Sequence, residues 1–288
     1  MSRQKLPDYH SPFGWIGSKR KMIPILQQFI PPHFNTYYEP FLGGGALYFA
    51  LSPQKAILSD IDSNLINKWR HFQDDPLDFI HQVDQYEKYL FQYPGRANIP
   101  LQQTRFNQML TEYNESTTKN GALFFVLVKY TFRGIFRYRK KDGRLLASYG
   151  FKANSFTPLT RSKYLPLAKQ LQAKGQIFNA DFETTINHAQ AGDFVFVDPP
   201  YDSFGTNPKK QRIDNTSWFN QPFNQAEQTR LAQTLIRAHQ RGVKFLHTNY
   251  PTPHIKHLYR QFNQTLIRGT TQNKTTKRQH EEIIITNY

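Results

Sequence analysis

The sequence predicts an α/β fold, a doubly wound sheet carrying an inserted, mostly helical segment. Two observations carry that expectation. Short, continuous apolar runs recur at residues 36–38, 56–58, 177–178, 194–197, 243–247 and 283–286, as expected of strands covered on both faces. Helix-like stretches such as 46–51 and 225–241 lie between them, so strand and helix alternate at both ends of the chain. The middle breaks this rhythm and is rich in Gln, Tyr and Asn. The expected division is therefore one domain from residues 1–67 and 161–288, interrupted by an inserted unit at 68–160.

The 288 residues, 38% hydrophobic and 15% aromatic, can bury a sizeable core. Lys and Arg number 37 against 21 acids, and the formal net charge of +16 points to a polyanionic partner, nucleic acid first. No apolar run approaches the roughly 20 residues of a membrane-spanning helix, and the basic N-terminus is not followed by a secretory apolar region. No cysteine occurs, which excludes disulfides, thiolate catalysis and cysteine-based zinc sites and fits the cytoplasm. The ten histidines are scattered, and no His and carboxylate set has metal-ligand spacing.

In chain order, GWIGSKRK at 14–21 invites comparison with a phosphate-binding loop but lacks its glycine spacing and its Lys-before-Ser order. As a basic, aromatic turn it offers Lys19 to a carboxylate and Trp15 to a flat ring. YEPFLGGGAL at 38–47 puts three glycines between a strand and a helix, at the sheet edge where ligands bind in doubly wound folds. Glycine there permits positive φ and close approach to the backbone. AILSDID at 56–62 ends the next strand at Asp60, a carboxylate able to accept both hydroxyls of a ribose. A tight turn and a helix-capping Asp explain the same residues without a ligand.

DFVFVDPPYDSF at 193–204 sets Asp198, Pro199, Pro200 and Tyr201 after a buried strand. Two prolines stiffen the loop and cannot donate hydrogen bonds, so its carbonyls serve as acceptors. Asp198 and the Pro199 carbonyl can each accept one hydrogen of an exocyclic amine, and Tyr201 can stack on the base. From 129 to 144, KYTFRGIFRYRKKDGR carries seven Lys or Arg against Asp142 alone, interleaved with aromatic rings. That mixture favours nucleic-acid contact.

Six motifs in this order resemble the D12 class, Dam-like N6-adenine DNA methyltransferases, over nearly the whole chain: WIGSK at 15–19, EPFLGGGAL at 39–47, SDIDSNLI at 59–66, NADFE at 179–183, DPPY at 198–201 and the closing EEIIITNY. The resemblance implies a Rossmann-like sheet binding S-adenosylmethionine, with residues 68–160 as the target-recognition domain and the closing strand, containing Glu282, as an antiparallel edge. It implies that Trp15 and Lys19 lie near the methionine end of that cofactor. Glu39, Pro40, Phe41, Gly43 and Gly45 would form the turn beneath it, Asp60 would hold its ribose, and Asp181 and Phe182 would meet its adenine. Asp198 would serve both this site and the catalytic set Asp198, Pro199, Pro200 and Tyr201, which transfers a methyl group to N6 of a flipped-out adenine in double-stranded DNA. No metal is implied.

DNA contact is expected at Lys129, Arg133, Arg137, Arg139, Lys140, Lys141 and Arg144. Family members carry asparagines at the places of Val128 and Arg133, so transfer of the family's common GATC target is weakened. A second basic stretch, with Lys274, Lys277 and Arg278, is either a phosphate grip or a loop, and HTNY at 247–250 matches a strand-end motif of unassigned role. The expected setting is a prokaryotic or phage-encoded enzyme, either paired with a restriction endonuclease acting on the same site or an orphan. Competing readings are a methyltransferase acting on RNA or a protein amide, and an inactive DNA-binding module.

Overall fold

A computed structural model describes residues 11–151, 158–202, 223–268 and 281–288. Its strands are β1 (Tyr37–Glu39), β2 (Ala56–Asp60), β3 (Thr131–Tyr138), β4 (Leu145–Tyr149), β5 (Gly175–Asn179), β6 (Phe194–Val197), β7 (Lys244–Asn249), β8 (Asn263–Arg268) and β9 (Glu281–Thr286). Its helices are α1 (Ile23–Leu26), α2 (Ala46–Leu51), α3 (Ser63–Asp74), α4 (Pro76–Leu90), α5 (Ile99–Glu115), α6 (Gly121–Tyr130), α7 (Arg161–Lys174), α8 (Phe182–Asn187), α9 (Gln225–Gln240) and α10 (Pro253–Leu258). Seven strands form one sheet in the order β5-β2-β1-β6-β7-β9-β8. The first five are parallel, β9 is antiparallel to β7, and β8 is antiparallel to β9.

The continuous apolar runs have a direct cause. Alternate residues of β6 enter different cores: Phe194 and Phe196 belong to the core that holds Trp69, Phe72 and Phe124, whereas Val195 and Val197 belong to the one that holds Ile186, Leu231 and Leu235. Both faces of the strand are therefore buried, as in doubly wound sheets. Helix starts are equally local: Asp62 caps α3 by accepting from the Asn64 and Leu65 amides, and Asn224 caps α9 through the Glu227 amide.

The closing strand corrects one expectation. β9 is interior, flanked by β7 and β8, and β8 forms the edge on that side. β8 has no apolar run because NQTLIR is mostly polar and open to solvent, with Leu266 51% exposed. The first and third runs also shift or lengthen slightly, to β1 and β5.

Between β2 and β5 the chain forms α3 to α7 and the two-stranded hairpin β3–β4. Helix α3 runs through position 68, and its Leu65, Ile66, Trp69 and Phe72 share one core with α6 and the sheet. The hairpin is thus mounted on a helical block continuous with the sheet's packing.

Candidate active site

β1 and β6 lie side by side, and the chain leaves them in opposite directions, toward β2 and toward β7. A crevice opens at the carboxyl ends of two such strands. It is a cavity of about 780 Å³ that brings together Trp15, Lys19, Glu39, Pro40, Phe41, Gly43, Gly45, Asp60, Asp181, Phe182, Asp198, Pro199, Pro200 and Tyr201. Its lining includes six acids and three basic residues, an acidic interior in a chain of formal charge +16.

The glycine turn after β1 forms one wall. Gly43 and Gly45 have φ of +46° and +62°, and a Cβ on Gly43 would lie 2.9 Å from Trp15 Cδ1. Any side chain there would collide with the indole, so the bare backbone is a requirement of the turn. Asp60, 8% exposed, accepts from the Gly43 amide at 3.0 Å and from the Asp62 amide at 3.1 Å. Trp69 Nε1 donates to the Gly43 carbonyl at 3.0 Å, so the turn is gripped from both sides. Burial pushes the Asp60 carboxyl up to about 7. Glu39 is pushed up to about 8 by the same cause, against the opposing hydrogen bond from Tyr37 Oη at 2.8 Å.

The loop after β6 forms the opposite wall. Asp198 Oδ1 lies 2.9 Å from Lys19 Nζ and accepts from Thr248 Oγ1 at 2.8 Å. Lys19 Nζ also lies 4.6 Å from the Tyr201 ring centroid. Tyr201 donates through Oη to Glu282 Oε2 at 2.9 Å, and its ring meets Tyr250 edge-on at 4.9 Å. The Pro200 carbonyl accepts from Gln228 Nε2 at 2.9 Å.

These contacts give HTNY a structural role. His247 Nδ1 donates to the Val197 carbonyl at 3.3 Å, Thr248 bonds Asp198, Asn249 Oδ1 accepts from the Asp202 amide at 2.9 Å, and Tyr250 packs on Tyr201. Thr248 and Tyr250 brace the Asp198–Tyr201 loop itself, and His247 and Asn249 hold the residues on either side of it. The signal available in the sequence was a run of polar residues closing an otherwise apolar strand.

Asp181 caps α8, and Phe182 stacks on Phe41 with centroids 5.4 Å apart and planes 24° apart. Arg230 of α9 reaches both Asp181 oxygens at 2.8 Å and lies 4.0 Å from the Phe182 centroid. Nothing in the sequence motifs singled out Arg230, because the contact joins α8 to a helix 49 residues away in sequence.

The basic hairpin stands outside this cavity. Arg133, Arg137, Arg139, Lys140, Lys141 and Arg144 are exposed, with Arg139 paired to Asp142 in the turn. Arg133 and Gly134 have φ of +56° and +73°, where the register between β3 and β4 shifts. Lys129, at the base of the hairpin, pairs with Glu87. Phe136 ties the hairpin to the cavity by packing on Trp15 at 5.5 Å, and Tyr138 Oη ties it to the start of α3 by donating to Asp62 Oδ2 at 2.9 Å and Oδ1 at 3.1 Å. Lys274, Lys277 and Arg278 lie outside the described residues. Among the described residues, no group of three or more His, Cys, Asp or Glu side chains could hold a metal ion, and no helix is long and apolar enough to cross a membrane.

A family model for D12 class N6 adenine-specific DNA methyltransferases matches residues 15–274. A Type II methyltransferase of Lactococcus lactis subsp. cremoris is 30% identical, over 95% of this chain and 94% of its own length. A DNA adenine methylase of Vibrio cholerae serotype O1 is 24% identical, over 92% of this chain and 88% of its own. A Type II methyltransferase of Methanocaldococcus jannaschii is 27% identical, over 95% of this chain and 97% of its own.

Proposed function

Because the chain belongs to the D12 class of N6 adenine-specific DNA methyltransferases, we propose that its cavity holds S-adenosylmethionine beside a flipped-out adenine and that the Asp198–Tyr201 loop directs the methyl group to N6. The observation that carries this reading is the meeting of the glycine turn and that loop in one crevice. The residues fit the cofactor. The glycine turn lines the crevice with bare backbone, Phe41 and Phe182 set an aromatic wall beside it, and Asp181 keeps acceptor capacity at the same wall.

Trp15, Lys19, Glu39, Pro40, Phe41, Gly43, Gly45, Asp60, Asp181 and Phe182 would hold the cofactor. When bound, S-adenosylmethionine supplies a methyl group on a sulfonium sulfur. Asp198 accepts one N6 hydrogen of the target and the Pro199 carbonyl accepts the other, which frees the nitrogen lone pair from conjugation. The Asp198 carboxylate then stabilises positive charge as it develops on N6; as the N–CH3 bond forms the S–CH3 bond breaks, S-adenosylhomocysteine would be the leaving product, and the extra N6 proton passes to solvent. Thr248, Gln228 and the second proline hold the loop so that little reorganisation is needed at that moment. Glu282 and Tyr250 fix the Tyr201 ring, which replaces the stacking that the base loses on leaving the duplex.

Residues 68–160 serve as the target-recognition unit, and Arg133, Arg137, Arg139, Lys140, Lys141 and Arg144 meet the DNA, with Lys129 at the hairpin base. Action within a restriction-modification pair, beside an endonuclease that cuts the same site, is the biological setting proposed. The test supplies S-adenosylmethionine and unmethylated duplex DNA, then hydrolyses the DNA to nucleosides. N6-methyladenine is the expected product; methyl groups found only in RNA or protein substrates would overturn the reading.

A further inference from the structure

We infer that Arg230 is a positioning residue that makes this cavity selective for the 6-amino group of an adenosine ligand, an inference that rests on the cofactor reading above. Its guanidinium engages Asp181 through a two-pronged fork, Nη1 to Oδ1 and Nη2 to Oδ2, both at 2.8 Å. Such a fork fixes the plane of a carboxylate as well as its position. The same guanidinium covers Phe182 at 4.0 Å from the ring centroid, and Phe182 in turn stacks on Phe41. One side chain thus sets both the acid and the aromatic plane on this side of the cavity.

Arg230 is itself fixed. It bonds Glu227 Oε2 at 2.6 Å and Glu183 Oε2 at 2.9 Å, and Glu183 is held in addition by Arg237. Asp181 also accepts from the Glu183 amide at 2.9 Å, so three of the roughly four acceptor sites of its carboxylate are taken. The remaining acceptor capacity belongs to a group that lines the cavity. The Arg230 hydrogen bonds hold the Asp181 carboxyl below the usual carboxylate range, so it stays acceptor-only at neutral pH. An amino group satisfies such an acceptor; a base without one leaves it unmatched.

The test measures binding of S-adenosylhomocysteine and of its counterpart lacking the 6-amino group, by calorimetry on the whole protein. The wild type should prefer the amino compound about tenfold, the size of one hydrogen bond to a charged acceptor. Arg230→Lys keeps the charge without the fork, and Arg230→Gln removes both; in each the preference should fall toward unity. The KM for S-adenosylmethionine should rise about tenfold with kcat held at saturation, because Arg230 does not touch the reacting atoms. Combining Asp181→Asn with Arg230→Lys should lose no more preference than Asp181→Asn alone. If Arg230→Gln fails to fold, Arg230→Lys carries the test. Equal binding of the two compounds by the wild type, or an undiminished preference in the Arg230 variants, overturns the inference and leaves the cofactor reading standing. A wild type that binds no S-adenosylhomocysteine overturns the cofactor reading, and the inference with it.

Discussion

Lys129 Nζ forms an ion pair with Glu87, an acid at the heart of the helical block whose side chain is 0% exposed. Tyr130 Oη donates to the same Glu87 oxygen at 2.9 Å. A lysine in the stretch expected to meet DNA is therefore also the counter-ion of an interior carboxylate. Removing one partner of a buried pair strands the other in a medium that solvates charge poorly.

Lys129→Ala should therefore destabilise the fold by about 3 kcal/mol, the lower end of the range for breaking a buried pair. Adding Glu87→Gln should restore much of that loss, because the stranded charge is gone. Thermal melting of the single and double variants reads the result. A Lys129→Ala protein that melts with the wild type would refute the assignment.

Arg133 and Arg137 are exposed on β3 and make no ion pair with a described residue. Each is free to neutralise a phosphate. Replacing either with Ala should weaken DNA binding and reduce the slope of log affinity against log salt by about one. Arg139, already paired with Asp142, should give a smaller change. Titrations at several salt concentrations check this, and an unchanged slope would place the DNA elsewhere.

His247 is fully buried, and burial lowers its pKa from an ordinary 6.5 to about 4. Between those values the unfolded chain binds the proton and the folded chain does not, so stability rises with pH across that window and is lost on acidification. The expected loss between about pH 6.5 and 4 is about 3 kcal/mol from this group. Denaturant melts of wild type and His247→Gln should diverge in pH slope over this range. Parallel slopes would mean that another group governs acid sensitivity there.

Gly43→Ala puts a Cβ 2.9 Å from Trp15 Cδ1 at a φ of +46°. Backbone strain and a displaced indole should together lower affinity for S-adenosylhomocysteine about tenfold or more. Calorimetry reads this directly; unchanged affinity would remove the glycine turn from the proposed cofactor surface.

The parts of the fold that the sequence revealed are those with a local cause. The buried parallel strands appear as unbroken apolar runs, and α2 begins where Gly45 allows a left-handed turn. Edge strand β8 was hidden because one side of it pairs with β9 while its residues stay polar. At the site, residues adjacent in sequence, such as Asp198 to Tyr201, were legible as a group. Arg230 and Gln228 were not, and Thr248 stood only in a motif without a role, because their importance lies in what they reach across the sheet. Lys129 shows the limit of charge counting: its partner lies 42 positions earlier, on α4.

The most direct measurement is methyl transfer from labelled S-adenosylmethionine to unmethylated duplex DNA by Asp198→Ala beside the wild type, with DNA affinity measured on both. In the proposed mechanism Asp198 accepts a hydrogen bond from the methyl-accepting N6 and stabilises its developing charge, so the variant should lose about a thousandfold or more in rate. Its DNA affinity should stay close to that of the wild type, since the hairpin is untouched. Turnover within about tenfold of the wild type would contradict the assignment of Asp198 as the catalytic carboxylate.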